Sequence, residues 1–461
     1  MQSPPRPPLL RSRGNRALMG ASAATAVLVV AIGTLGTFGM RGWGRVPFSV
    51  PSVPWYHAWP YYLFWAPRLD RTWAELVLPV AVLVAAGLVA AAGLVRARRA
   101  WLAGSLVGAF ALDLAVAALA GGPRAWQAPL AASGEYPRAV PQVGAIPTFL
   151  HDFATRVPGL PDYAAQHPPG ATLFYVLVAR VWPGLGGAAV ATVAAACLGL
   201  LVVAALARDE LREVGERWAV VCWALAPAVV LYAATSADAM WAPVLAGAAL
   251  AAHRGLMRRS LAWTVAGGAL LWLASMLSFA AVLVLPFLLV RGVAVALGPQ
   301  RPWSWAVRWA TLTAATVLAL AGALWLATGY DVIATVRAVD RFWSTAPGTQ
   351  RVWWAWLFGD LVAFVAILGF PLSAALVTRT WAALRGRAWG SFEVATLASL
   401  LAGAAWGHTK GEVERMWQFL VPFAVVVAVR QLVRWRVSLP LVAALLLGQT
   451  VAVQLLFFTR W

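Results

Sequence analysis

An all-α fold embedded in a membrane is what this sequence predicts, and three observations predict it. Hydrophobic residues make up 62% of the chain and charged residues 11%, against roughly a quarter charged in soluble domains. Apolar runs recur from Ala17 to the C-terminus, each about 17 to 25 residues, long enough to cross a hydrocarbon core of roughly 30 Å as a helix. The arginines behind the net charge of +19 sit in short clusters between those runs rather than along one amphipathic face. That arrangement marks topology and sets nucleic acid aside as a partner.

Taken in order, residues 1–16, MQSPPRPPLLRSRGNR, form a basic tail. The apolar run 17–40 ends without a small-residue cleavage signature, so it reads as an uncleaved anchor behind a cytoplasmic N-terminus. Further spans are expected at 73–95, 100–121, 186–207, 218–235, 239–256, 260–276, 279–298, 307–327, 353–378, 389–406, 415–430 and 437–458, about thirteen in all. The linkers this places inside are RARR (96–99), RDELREVGER (208–217), HRGLMRR (253–259), the segment 291–308, RTWAALRGR (379–387) and RQLVRWR (430–436). Each carries three arginines, the excess that cytoplasmic loops show.

The outer side receives three long segments, 41–73, 122–186 and 328–352, and short connections at 235–238 and 407–414. Outside the membrane no segment has the length and pattern of a separate core, so residues 1–461 read as one polytopic domain. The two cysteines, Cys197 and Cys222, fall inside spans at no metal or disulfide spacing and read as small apolar filler.

The run from Gly170 to Trp182 is only about thirteen residues, short of the roughly 17 a span requires. If it crossed, every later arginine cluster would move to the outer face. It is therefore expected to lie in the outer interface, with Trp182-Pro183-Gly184 turning into the next span. Residues 146–157 read as a second, amphipathic interfacial helix within the outer loop 122–185.

Ionisable residues at the edges of spans are costly and so mark candidate sites. On the outer side these are Glu135, Asp238 in AATSADAMW, and Lys410, Glu412, Glu414 and Arg415 in HTKGEVERMWQF. Glu412 and Arg415 are three apart and share a helix face; an interfacial ion pair capping the span explains them equally. Asp238 suits a helix N-cap as well as a site. Glu135 can be an ordinary loop carboxylate. His167 precedes Pro168-Pro169-Gly170, where two prolines fix the backbone and Gly170 permits close approach, so its ring is rigidly placed. Asp113, inside a span, is assigned no role. Asp331, Asp340 and Asp360 alternate with Arg337, Arg341 and Arg351, which reads as a charged, solvated loop. No H-x-x-x-H or D-x-D pattern supports a metal site between His151 and Asp162.

The order Glu135, interfacial segment, His167-Pro168-Pro169-Gly170, then Asp238 resembles the GT-C superfamily of lipid-linked glycosyltransferases, particularly protein O-mannosyltransferases and aminoarabinose-type transferases. The similarity covers about residues 120–245. It departs from the family's paired acids, since Glu135 is followed by Tyr136. The resemblance implies a GT-C-like fold and a sugar donor on a polyprenyl phosphate, drawn from the lipid of the cell membrane and used at its outer face on an acceptor of unspecified kind. It implies Glu135 as general base, Asp238 as second acid, His167 as an orienting group, and Arg415 with Lys410, beside Glu412, at the lipid phosphate. Some relatives use a divalent metal and others do not. The competing readings are a multi-pass transporter or lipid flippase, for which broken helices and mid-membrane polar groups are expected, and a non-catalytic partner in envelope assembly.

Overall fold

The structure, a computed structural model, describes residues 12–34, 49–50, 53–57, 63–65, 71–298, 303–346 and 351–459. Most of the basic tail, the end of the first expected span and most of the first outer segment lie outside the described residues. Helix dominates. Four short strands pair as Ser49–Val50 with Val53–His57 and Leu63–Trp65 with Phe457–Thr459.

Eight helical stretches among the described residues are long and apolar enough to cross a membrane, and four shorter apolar helices accompany them. The difference from thirteen continuous spans lies in how the helices break. Leu185–Ala224 is one helical stretch of 40 residues, yet Arg212 leaves helical geometry at φ 64° and Gly199 lies against the indole of Trp223. A straight helix would separate those two residues by about 36 Å, so the chain folds back at Arg212. RDELREVGER, expected as a linker, is the helical tip of that hairpin.

Other expected spans are interrupted. The run 218–235 stops being regular helix at Ala224, and Pro227–Val230 is a single turn before a turning segment that ends at Asp238. The run 279–298 opens as a 3-10 helix, Phe279–Val284, ahead of Leu285–Ala296. The run 353–378 breaks at Gly369 into Trp353–Leu368 and Phe370–Arg385. Gly369 sits at φ 106°, where a Cβ would strike Leu446, and the released Phe370 N–H donates to Gln449 Oε1 at 2.8 Å. The run 415–430 starts as two short pieces, Val413–Met416 and Gln418–Leu420, before Val421–Trp435. Proline at the second position of Val421–Trp435 and of Leu285–Ala296 costs no hydrogen bond there, because the first turn's N–H groups have no helical partner.

At the centre stand Asp238–Arg258 and Val421–Trp435, most of whose residues are buried. Asp238–Arg258 packs on Leu261–Leu277 through glycines: Gly267 meets the Ala252 backbone and Gly255 meets Thr264. Trp303–Thr328 is peripheral, with three buried residues.

The six arginine clusters meet at one end of the bundle. Arg98 and Arg208 grip Glu216 at 2.6 and 2.8 Å, Arg254 and Arg258 grip Asp209 at 2.7 Å each, and Arg379 and Arg430 grip Glu393 at 2.8 and 2.6 Å. Arg291 donates to the Gly390 carbonyl at 2.7 Å. The acids of the hairpin tip and Glu393 thus tie together the segments that the charge pattern places on one side. Cys197 and Cys222 are buried and free, and the Cys197 thiol donates to Asp113 at 3.5 Å.

The short helix after His167 runs Pro169–Val181, thirteen residues and about 20 Å long, too short to cross. Gly184 at φ 93° turns the chain into Leu185–Cys197, where the sequence predicts the turn. The interfacial segment 146–157 is not one helix: it divides into Ile146–His151, Phe153–Arg156 and a 3-10 turn, Val157–Gly159.

Candidate functional site

Away from the arginine belt, residues distant in sequence converge. Asp238 is the first residue of the helix Asp238–Arg258, whose N-cap position is Ala237 with no side-chain cap; the Asp238 N–H donates to Ser236 Oγ at 3.2 Å, while Ser236 Oγ donates to Asp238 Oδ2 at 2.8 Å. Asp238 is therefore not the N-cap that its TSAD context suggests. Its Oδ2 also accepts from Arg415, whose second terminal nitrogen bonds Glu412. Glu412 in turn faces Arg351 at 3.6 Å. The i to i+3 spacing predicted the Glu412–Arg415 contact, although Glu412 adopts φ 66° just ahead of the helix rather than lying within it.

Arg351 and Lys410 are laced together. Arg351 donates to the Lys410 carbonyl, Lys410 Nζ donates to the Arg351 carbonyl at 3.0 Å, and Arg351 lies 5.2 Å over the Trp356 ring. Burial and the Arg351 charge lower the Lys410 pKa. The Gly411 N–H donates to Asp360 Oδ1 at 2.8 Å. Arg351 and Asp360, read from sequence as part of a solvated charged loop, are instead buried. Their flanking runs of tryptophan were the available signal: WWAW after Arg351 carries both residues into the protein interior.

The loop carrying Glu135 reaches the same place. Glu135 is 3% exposed and immediately precedes the 3-10 turn Tyr136–Ala139. The Tyr163 N–H donates to the Gly134 carbonyl at 2.9 Å, and Arg415 lies 5.2 Å over the Tyr163 ring. Tyr136 is packed against Trp241 and His167, with ring centres 5.8 Å from each. Burial raises the Tyr136 pKa, and the charges of Asp238 and Glu135 both add to the rise. One hydroxyl thus feels both carboxylates.

His167 is fixed by its neighbours. Its Nδ1 is 3.0 Å from the Tyr163 carbonyl and its ring centre 5.2 Å from that of Trp241. Gly170, one residue into the helix, sits so close to the Met276 carbonyl that a Cβ would collide with it. The close approach inferred from HPPG is real, and it packs the helix start against Leu261–Leu277.

A cavity of about 320 Å³ adjoins this cluster. Gln166, His167, Thr409 and Met416 line it near the ion pairs, while Phe279, Val282, Val336 and Val339 give it an apolar wall. His408, which also lines it, stacks on Trp343 with centres 4.6 Å apart and lies 5.2 Å from Trp406. The amphipathic helix Val332–Ser344, which supplies Val336, Val339 and Trp343, was read from sequence as a loop. Its alternation of charges hid a helical period.

The charged residues singled out at the outer span edges are thus brought together with His167: Glu135, Asp238, Glu412, Glu414 and Arg415 by contact or charge, and Lys410 through Arg351. His151 and Asp152 stand apart, with Asp152 paired to Arg156 at 3.1 Å. No group of three or more His, Cys, Asp or Glu side chains with metal-binding geometry occurs among the described residues. No protein-family model matches the chain, and no curated protein matches it.

Proposed function

We propose that the protein is a glycosyltransferase of the cell membrane that moves a sugar from a polyprenyl phosphate to an acceptor at the outer face, on a GT-C-like scaffold of about thirteen crossings with a cytoplasmic N-terminus. One observation carries this reading: a cavity with an apolar wall is also lined by His167, Thr409 and Met416, which adjoin a cluster of paired charges assembled from three distant segments. A lipid phosphate needs both parts. Its chain requires an apolar path, and its head requires a guanidinium that can trade a carboxylate for a phosphate oxygen. Arg415, shared between Asp238 and Glu412, can make that trade without leaving either acid wholly unpaired. Lys410 adds positive charge nearby. Glu135 and Asp238 supply negative potential for the cationic character that develops at the anomeric carbon.

The test is transfer in vesicles containing the purified protein, a radiolabelled polyprenyl-phosphate hexose and a mixed glycan acceptor. Transfer that falls at least about a hundredfold in Asp238→Asn and Arg415→Gln supports the reading. Movement of the labelled lipid between leaflets with no covalent product overturns it in favour of a flippase. One observation favours that second reading: Asp238 and Arg415 both stand where helices restart after unwound backbone, as in transporters whose broken helices surround a binding site.

A further inference from the structure

Three titratable side chains line the cavity: His167, Asp340 and His408. Asp340 and His408 are 66% and 47% exposed and lie 3.9 Å apart, whereas His167 is held against Tyr136 and Trp241 and feels the charges of Asp238 and Arg415. Neither Glu135 nor Asp238 lies in the cavity wall, and Asp238 Oδ2 is engaged by Arg415 and Ser236. A hydroxyl entering the cavity therefore meets His167 before it meets either carboxylate.

The tautomer of His167 follows from one contact. A backbone carbonyl only accepts, so the 3.0 Å approach of Nδ1 to the Tyr163 oxygen places the proton on Nδ1 and leaves Nε2 with its lone pair in the neutral ring. Trp241 and Tyr136 pack against the ring, and the two prolines that follow restrict the backbone that carries it. We propose that Nε2 of His167 is the base that removes the proton from the acceptor hydroxyl, an assignment that rests on the transferase reading above.

In that step the hydroxyl proton passes to Nε2 and the hydroxyl oxygen bonds to the anomeric carbon. The bond from that carbon to the phosphate oxygen breaks, and its electron pair departs on the polyprenyl phosphate held by Arg415. The imidazolium then gives its proton to water. Burial lowers the His167 pKa and keeps the resting ring neutral, whereas the charge of Asp238 acts in the opposite sense and stabilises the imidazolium as it forms. The groups that set this balance are Asp238 and Arg415, with the carbonyl of Tyr163 orienting the ring. Asp238 is thus a positioning residue for both Arg415 and the proton.

Two measurements test the assignment. The chain has five histidines, so ¹⁵N-histidine labelling resolves the tautomers individually; a neutral His167 with its proton on Nε2 overturns the proposal. Transfer is then measured with polyprenyl-phosphate glucose, mannose, galactose and N-acetylglucosamine. His167→Ala is expected to lose about 10²- to 10⁴-fold in kcat with the donor KM little changed, and added imidazole to restore part of the loss. Undiminished kcat in His167→Ala, or a loss that imidazole leaves untouched while the protein binds donor normally, overturns it with the transferase reading intact. If the wild type uses none of the four donors, the transferase reading fails and this inference with it.

Discussion

The Asp238–Arg415 pair shows how a single contact can dominate a region. Both side chains are almost fully enclosed, at 3% and 8% exposure, so their charges depend on each other rather than on water. Removing one partner of a buried pair costs about 3–5 kcal/mol, because the survivor is left uncompensated. Arg415→Gln is therefore expected to lower unfolding stability in detergent by that amount, and Asp238→Asn combined with Arg415→Gln to recover part of it. A double variant as unstable as the sum of the two singles shows that the pair contributes nothing. Next to Arg415, burial pushes the Glu414 carboxyl up to about 7. The folded state then holds a proton that the unfolded state has released above about 4.3. Stability from this group is full below that value, declines as pH rises, and is lost once pH passes about 7, a loss on the order of 3 kcal/mol. Glu414→Gln is expected to flatten this slope in denaturation curves recorded between pH 4 and 8; an unchanged slope removes Glu414 as its source. The sequence made Asp238, Arg415 and Glu412 visible because charges at span edges are rare. It could not pair Asp238 with Arg415, because that contact joins residues on opposite sides of 177 positions.

At the scale of elements, legibility depended on punctuation: the helix Pro169–Val181 is bounded by prolines, whereas Val332–Ser344, of the same length, lies among alternating charges. Thirteen apolar residues between Pro169 and a Pro-Gly turn leave little choice, and the helix Pro169–Val181 appears where expected. Long apolar runs carry no such punctuation. The break at Gly369 needs a side-chain acceptor from Gln449 eighty residues away, and the reversal at Arg212 lies within a helix-forming stretch of Glu, Leu and Arg. Local propensity favours helix through both, and tertiary contacts decide otherwise. The start of Pro169–Val181 bears directly on the site, since it fixes His167. Gly170 has no room for a Cβ beside the Met276 carbonyl. Gly170→Ala is expected to push this helix off Leu261–Leu277, costing about 1–3 kcal/mol and reducing transfer along with stability. Gly159→Ala, where nothing stands in the way of a Cβ, serves as the control. Equal melting temperatures for the two variants refute the tight contact.

Over the whole molecule, the arginine clusters gave the organisation and the structure gives its physical form. Asp209, Glu210, Glu216 and Glu393 gather arginines from five clusters into one belt, while the candidate site uses none of those residues. The arginine clusters include none of the site's residues, so the ion pairs of the belt and those of the site form two separate sets. What the sequence left hidden is the cavity, since its wall draws on residues from 166 to 416 and no local pattern announces it. The orientation can be tested with little interference, because Cys197 and Cys222 are buried and are expected to stay silent toward an impermeant thiol reagent. Ser133 is exposed beside Glu135, and the Glu213 side chain is 64% exposed at the hairpin tip within the arginine belt. In intact cells, Ser133→Cys should label and Glu213→Cys should label only after the membrane is permeabilised. Positive residues are retained on the cytoplasmic side, so the reverse pattern would place the belt outside and the cavity inside. An outer-face donor would then be unable to reach Arg415, and the transferase reading would have to be abandoned.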